Sequence, residues 1–538
     1  MDEFMMNTSI NNVSLESTGY FSKLMLDYVQ SHPSVSGLYD YPMNEEGLLN
    51  ALKNKQQQTI NRNVLAEVLK EQYQLLSTTD LVQQNIDALL EENTFTICTA
   101  HQPSLFTGNL YFIYKIAQTI SLAKSMSAKY PEYRFVPVFW MGSEDADLDE
   151  LGYVYLNGET LRWDTKQTGA VGRMSNKGID TLIQRLENEL SVQSYGNELI
   201  DLLKRCYRPD ENFQQATFRL INELFQQWGV VVLIPDHPAL KKEMQQIFED
   251  DLTTQQPSEI VAKTIAQIPS QYKIQANPRS VNLFYLTEGI RNLIVFENNL
   301  YWVKGTELQF TQAALLEELH THPERFSPNV ILRGLFQEKI LPNIATIGGG
   351  GETAYWLELK DLFKHYEIPY PVLVLRNSFL WMDTDQVKIQ QKYNISNEEM
   401  FLPTQQLYAA LTKKQTDKDF STQKEWDEMN AIYQRLKEKA AQIDKSLVQH
   451  ISALQVNAER KLNTLEKKLF KSERQSFEQL NRQVEKWKKE LFPKNGLQER
   501  VENFLPFYAK YGKEFIEIIV EKSPALSNEF IIIKEEVV

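Results

Sequence analysis

Two textures of apolar residues alternate along this chain. Four short runs are almost wholly apolar or β-branched: Thr94-Phe95-Thr96-Ile97-Cys98-Thr99-Ala100, Arg134-Phe135-Val136-Pro137-Val138-Phe139-Trp140, Gly229-Val230-Val231-Val232-Leu233-Ile234-Pro235-Asp236 and Pro371-Val372-Leu373-Val374-Leu375-Arg376. Such runs predict strands buried on both faces, as in a parallel sheet. Around them apolar positions step by three and four, which predicts helices: one from Gly108 to about Lys129, one containing Phe218, Ile221, Leu224 and Phe225, and one from Thr353 to His365. Residues 17–92 also read as helical, with Leu65, Val68, Leu69, Leu81, Ile86, Leu89 and Leu90 in step. Strand, helix and strand, with polar residues after each strand, predict parallel βαβ units and an α/β fold.

The same patterning divides the chain. Residues 1–150 are read as N-terminal helices and the first half of the core, and 151–217 as a first insertion opening on the hairpin-like Tyr153 to Glu159. Residues 218–254 continue the core, and 255–324 form a second insertion. There Val281 to Tyr285, Leu293 to Phe296 and Leu300 to Val303 alternate between Glu-Gly and Asn-Asn turns, predicting a small antiparallel sheet. Residues 325–384 complete the core, 385–492 form a helical coiled coil, and 493–538 pack back on the core. Residues 404–492 contain neither Gly nor Pro, and apolar residues from Trp426 to Leu469 step at an average of 3.5. This is either one rod or an antiparallel pair broken at Ile443-Asp444-Lys445-Ser446.

At 538 residues the length allows roughly three or four domain-sized units. A formal charge of −14 argues against nucleic-acid binding, which needs a basic field. Two cysteines, Cys98 and Cys206, exclude a disulfide framework and a cysteine zinc site. The polar start from Met1 to Glu16 lacks a secretory apolar stretch, and no window approaches a membrane span, so a cytoplasmic protein is expected.

Three stretches carry candidate chemistry. In His101-Gln102-Pro103-Ser104-Leu105-Phe106-Thr107-Gly108-Asn109 a strand turns into a helix. Free backbone N–H groups at a Gly108 entrance would favour an anion, with His101 and Gln102 beside it. Class I aminoacyl-tRNA synthetases place a His-containing motif there; the plainer alternative is a histidine that caps the helix. After the second strand, Trp140 leads into Ser143-Glu144-Asp145-Ala146-Asp147. Glu144, Asp145 and Asp147 could grip an ammonium, hold Mg²⁺ with phosphates or act as a base, or could form a solvated loop. The third stretch, Gly348-Gly349-Gly350-Gly351-Glu352-Thr353-Ala354-Tyr355, runs four glycines into a helix. It permits positive φ and close backbone approach, with Glu352 and Tyr355 on the first turn; a linker is the alternative. Arg333 and Arg376 suit carboxylate or phosphate, or form ordinary ion pairs. The seven histidines show no zinc spacing, and no metal site is expected from them.

Taken together, Thr99 to Pro103 with Thr107 to Lys115, Phe135 to Met141 with Ser143-Glu144-Asp145, Gln337 to Pro342, Gly348 to Lys360 and Leu491 to Arg500 resemble the BshC family. The resemblance runs from about Leu15 to the C-terminus in the same order. It implies a Rossmann-like core with two connective-peptide insertions, a coiled coil used for homodimerisation, and a cysteine ligase that completes bacillithiol by joining cysteine to glucosaminyl-malate. Gly349-Gly350-Gly351-Glu352 departs from the family's Gly-Pro-Gly-Glu, and Ala146 stands where a second histidine is common. A carboxylate needs activation before an amine can attack it, so ATP is expected, with Mg²⁺ as its companion. On this reading His101 and Gly108 hold phosphates, Glu144, Asp145 or Asp147 bind the ammonium or Mg²⁺, and Arg333 or Arg376 take the malate carboxylates. The competing reading is a non-catalytic nucleotide-binding scaffold acting through its coiled coil.

Overall fold

Five parallel strands form the central sheet: β1 (Thr94–His101), β2 (Arg134–Met141), β3 (Val231–Leu233), β4 (Asn343–Gly348) and β5 (Val372–Leu375), in the spatial order β5-β4-β1-β2-β3. The computed structural model describes residues 7–74, 76–416 and 421–536, with backbone alone at 473–476. The first six residues of the N-terminal stretch, and part of the Gly- and Pro-free stretch, therefore lie outside the described residues.

The strands form where they do because both sheet faces are covered. On one face Phe95, Ile97, Phe135, Ile344, Ala345, Ile347, Val372 and Val374 pack with Leu122, Ala123 and Met126 of helix α1 (Tyr111–Lys129) and with Leu48, Ala51 and Leu52. Full burial of each large side chain contributes about 1.5–3 kcal/mol. The interior strand β4 was not among the four expected strands. Its run Asn343-Ile344-Ala345-Thr346-Ile347-Gly348 is short, follows Pro342 and ends in the glycine stretch, so the punctuation hides the strand.

The chain order creates a crevice. From β1 it runs outward through β2 and β3, then returns to the other side of β1 as β4. The helices leaving β1 and β4 therefore diverge, and ligands of open α/β sheets bind outside the strand ends at such a reversal. Helix α2 (Val330–Ile340) precedes β4 and helix α3 (Gly350–Leu357) follows it. The single helix expected from Thr353 to His365 is two helices, α3 and Lys360–His365.

The first insertion opens with the hairpin Tyr153–Leu156 and Glu159–Arg162, turned by Asn157 and Gly158 at positive φ. The second contains an antiparallel sheet of five strands whose turns include Gly289, Asn298 and Asn299, all at positive φ. Its last strand, Phe326–Pro328, lies beyond residue 324. Residues 1–381 and 496–534 form one compact unit, so the segment after the coiled coil rejoins the core.

Residues 382–495 and 535–538 form a second unit. In it Gln423–Ile443 and Ser446–Ser476 pair as an antiparallel hairpin, with the Ser446 N–H donating to Asp444 at the turn. Gln455 bonds both Lys437 and Asn430 across the pair. Among the described residues, no helix is long and apolar enough to cross a membrane.

Candidate functional site

At the crevice lies a cavity of about 580 Å³, within the range of small-molecule sites. The end of β1 contributes Ala100, His101 and Gln102, α1 contributes Tyr111 and Lys115, and the end of β2 contributes Trp140, Gly142 and Asp145. Gly349, Gly350, Gly351, Glu352 and Tyr355 come from the turn into α3, Arg333 from α2, and Arg376 from the end of β5. The histidine turn, the acid loop and the glycine stretch thus share one cavity.

Lys115 ties the two diverging helices together. Its ammonium is buried and donates to the Ala100 carbonyl and to Glu352 Oε2, the latter at 2.7 Å. The same oxygen accepts the Gly349 N–H at 3.3 Å, closing the N-terminus of α3. None of Gly348 to Gly351 uses the positive φ that glycine permits. Their glycines matter for space instead: a Cβ on Gly350 would meet Met25 at 3.2 Å, whereas one on Gly351 would meet nothing within 4 Å. Gly348 itself ends β4, away from the cavity lining, with its carbonyl accepting the Arg376 N–H.

His101 has a defined hydrogen-bonding state. Its Nδ1 lies 2.8 Å from the Gln102 carbonyl, which only accepts, so Nδ1 carries the hydrogen and Nε2 a lone pair. Nε2 lies 3.3 Å from the Tyr111 hydroxyl. Burial, reinforced by the Lys115 charge, pushes the imidazole pKa down to about 3. A neutral ring with this tautomer offers an acceptor toward Tyr111, so the phosphate-bonding role expected of His101 does not fit this state.

The helix entrance at Gly108 is also closed to an anion. The Leu110 N–H donates to the Glu502 carbonyl, the Phe112 N–H to Asn109, and Asn503 bonds the carbonyls of Phe106 and Gly108. Gly108 and Asn109 do not line the cavity. Phe106, Thr107 and Gly108 turn the chain at positive φ instead.

The acid loop divides. Asp145 faces the cavity, but one of its oxygens receives Arg333 at 2.7 Å and Arg291 at 3.2 Å. Burial would raise its pKa, yet the two guanidinium groups and Gln102 hold it below the usual range. Glu144 turns away to the buried Lys241, which also meets Asp236 at 3.0 Å, and Asp236 takes Arg173 at 2.7 Å. Burial raises the Glu144 pKa against the pull of Lys241. Ser143 is buried against Gly172, with its hydroxyl unpartnered among the described residues. Asp147 is exposed outside the lining. With Glu144 and Asp145 committed to cations, the loop does not fit the expected Mg²⁺ role.

Arg376 is buried, meets Glu499 at 2.7 Å and lies over the Tyr111 ring at 5.1 Å. Lys115, Tyr111, Glu150, Glu499 and Arg500 escaped selection from the sequence. Of these, Tyr111, Lys115, Glu499 and Arg500 stood inside the stretches that carry the family resemblance, but nothing local marks them as site residues.

The family model for the BshC N-terminal Rossmann-like domain of bacillithiol biosynthesis matches residues 8–377, and that for the BshC C-terminal coiled-coil domain matches 379–535. A protein of Flavobacterium johnsoniae named "Putative cysteine ligase BshC" is 39% identical over 525 residues, covering 97% of this chain and 99% of its own. A Flavobacterium psychrophilum protein of the same name is also 39% identical, with the same coverage. One from Bacillus cytotoxicus is 26% identical, covering 94% of this chain and 97% of its own.

Proposed function

The chain belongs to the BshC family of bacillithiol biosynthesis, and from that premise we propose that it joins L-cysteine to glucosaminyl-malate through an amide bond. The observation that carries this reading is the cavity at the strand reversal, where paired and unpaired charges of both signs surround a space of about 580 Å³. Such a lining suits polar, charged substrates.

Amide formation from a free carboxylate requires a better leaving group than oxide. A nucleoside triphosphate, ATP on this reading, would supply it by activating the cysteine carboxylate. The residues that fit its phosphates are Gly350 and Gly351, whose amides open α3 without helical partners. The free space over Gly351 lets a ligand approach the backbone. The Gly108 entrance, closed by Glu502 and Asn503, takes no part.

The remaining side chains position the organic substrates. Glu150 lines the cavity with no ion pair among the described residues and fits the cysteine ammonium. His101, aligned by the Gln102 carbonyl, accepts from the Tyr111 hydroxyl through Nε2, and that held phenol oxygen would in turn orient an N–H of the incoming amine. With its pKa near 3 the imidazole is too weak a base to store that proton at neutral pH. Asp145 fixes Arg333 in the wall.

The test is to incubate the purified full-length chain with cysteine, glucosaminyl-malate and ATP, and to follow a thiol product by mass. The expected result is a product lighter than the two substrates combined by one water, formed only with all three components. Absence of that product with any nucleoside triphosphate overturns the reading.

A further inference from the structure

Around the cavity, most cations are already neutralised. Arg333 and Arg291 share Asp145 at 2.7 and 3.2 Å. Arg376 is held by Glu499 at 2.7 Å, and Lys115 by Glu352 at 2.7 Å. The arginines that the sequence offered for a substrate carboxylate are thus both occupied by the protein's own acids.

Arg500 differs. Its side chain lines the cavity and makes no ion pair or hydrogen bond among the described residues. Although Arg500 is exposed at the rim, the protein packed around its guanidinium and repulsion from Arg376 both push its pKa down, and the neighbouring Glu499 is spent on Arg376. A guanidinium beside another cation, without a counter-ion, is an arrangement that an anionic ligand relieves, and its planar fork matches a carboxylate.

Its position adds a second observation. Beyond Gly350 and Gly351 lies another cavity of about 300 Å³, lined also by Lys23, Tyr272 and Gln275. Gly350, Gly351 and Arg500 line both spaces. A substrate with an amine at one end and acid groups at the other can therefore reach the main cavity with the first while its acid end stays at the junction.

We propose that Arg500 anchors a carboxylate of the amine-bearing substrate at the junction of the two cavities. This rests on reading the chain as a ligase of an amine that carries carboxylates. The anchor selects the substrate by its acid end, and the occupied Arg333 and Arg376 shape the wall.

Titration calorimetry on the full-length chain tests it, with L-malate, glucosaminyl-malate, the neutral malamide and ATP as probes. In Arg500→Ala both malate-bearing ligands should bind at least tenfold more weakly, with partial recovery in Arg500→Lys. ATP affinity should stay within twofold, and malamide should bind equally poorly to wild type and variant. Matched melting temperatures establish that the variants fold. Malate affinity unchanged by Arg500→Ala, or no malate binding by the wild type, overturns the anchor. Loss of ATP instead of malate overturns it too, as it would assign Arg500 to phosphate. If malate binding depends on Arg500 while no form makes the thiol product, the anchor stands and the ligase reading falls.

Discussion

Lys115 and Glu352 meet at 2.7 Å across the crevice, joining the helix that leaves β1 to the helix that leaves β4. The pair stands where the two helices diverge, so it sets the floor of the cavity and the orientation of the α3 N-terminus. Replacing Lys115 by Met should lower kcat/KM at least a hundredfold. It also removes a charge that helps depress His101, so the imidazole pKa should rise. Histidine NMR shifts followed against pH in both forms check this; an unmoved His101 titration would show that burial alone sets it.

His101 itself should stay neutral throughout pH 5–9. Because its pKa is depressed to about 3, neither limb of a pH–rate profile in that window belongs to it. His101→Ala should lower kcat by about a hundredfold and leave both apparent pKa values in place. If an acidic limb between pH 6 and 7 vanished in the variant, the assignment of His101 as a neutral acceptor would be wrong.

Gly351 separates folding from ligand approach. A Cβ there meets nothing within 4 Å, so Gly351→Ala should melt within about a degree of the wild type and yet bind ATP at least tenfold more weakly. Equal ATP affinity, measured by calorimetry, would remove the glycine turn from the nucleotide-binding reading.

Asp236 governs part of the acid stability. Burial opposes its charge, but Lys241 and Arg173 more than compensate and lower its pKa to about 2. A depressed folded-state value means that the carboxylate stabilises the fold above its unfolded value near 3.9 and loses that contribution as pH falls toward 2. The contribution at neutral pH is about 2–3 kcal/mol. Asp236→Asn should therefore lower the melting temperature at pH 7, and the gap from wild type should narrow steadily below about pH 4. A gap independent of pH would mean that the asparagine harms packing rather than charge.

Much of the fold was legible because buried parallel strands are written as local apolar runs. Phe95, Val138, Val232 and Val374 each lie in one of the four anticipated core strands. The glycine-punctuated Asn343–Gly348 lacked that signature. The site was legible where its residues follow strand ends: His101, Asp145 and Glu352 occupy the lining for that reason. It was illegible where charges pair over distance. No spacing along the chain says that Asp145 meets Arg291, that Glu144 turns to Lys241, or that Glu499 takes Arg376. Those partners are chosen by tertiary packing, and the same packing closed the Gly108 entrance with Asn503.

The return of residues 496–534 to the core has a consequence for biosynthesis. Arg376 and Glu499 are separated by 123 positions, so the ribosome delivers the acid roughly 6–25 s after the base at ordinary elongation rates. Throughout that interval the emerging polypeptide carries a guanidinium designed for burial but not yet matched, and a crevice still missing one wall. The cavity wall is consequently complete only after Glu499 and Arg500 have been made, and a chain that stops anywhere in the helical hairpin lacks both.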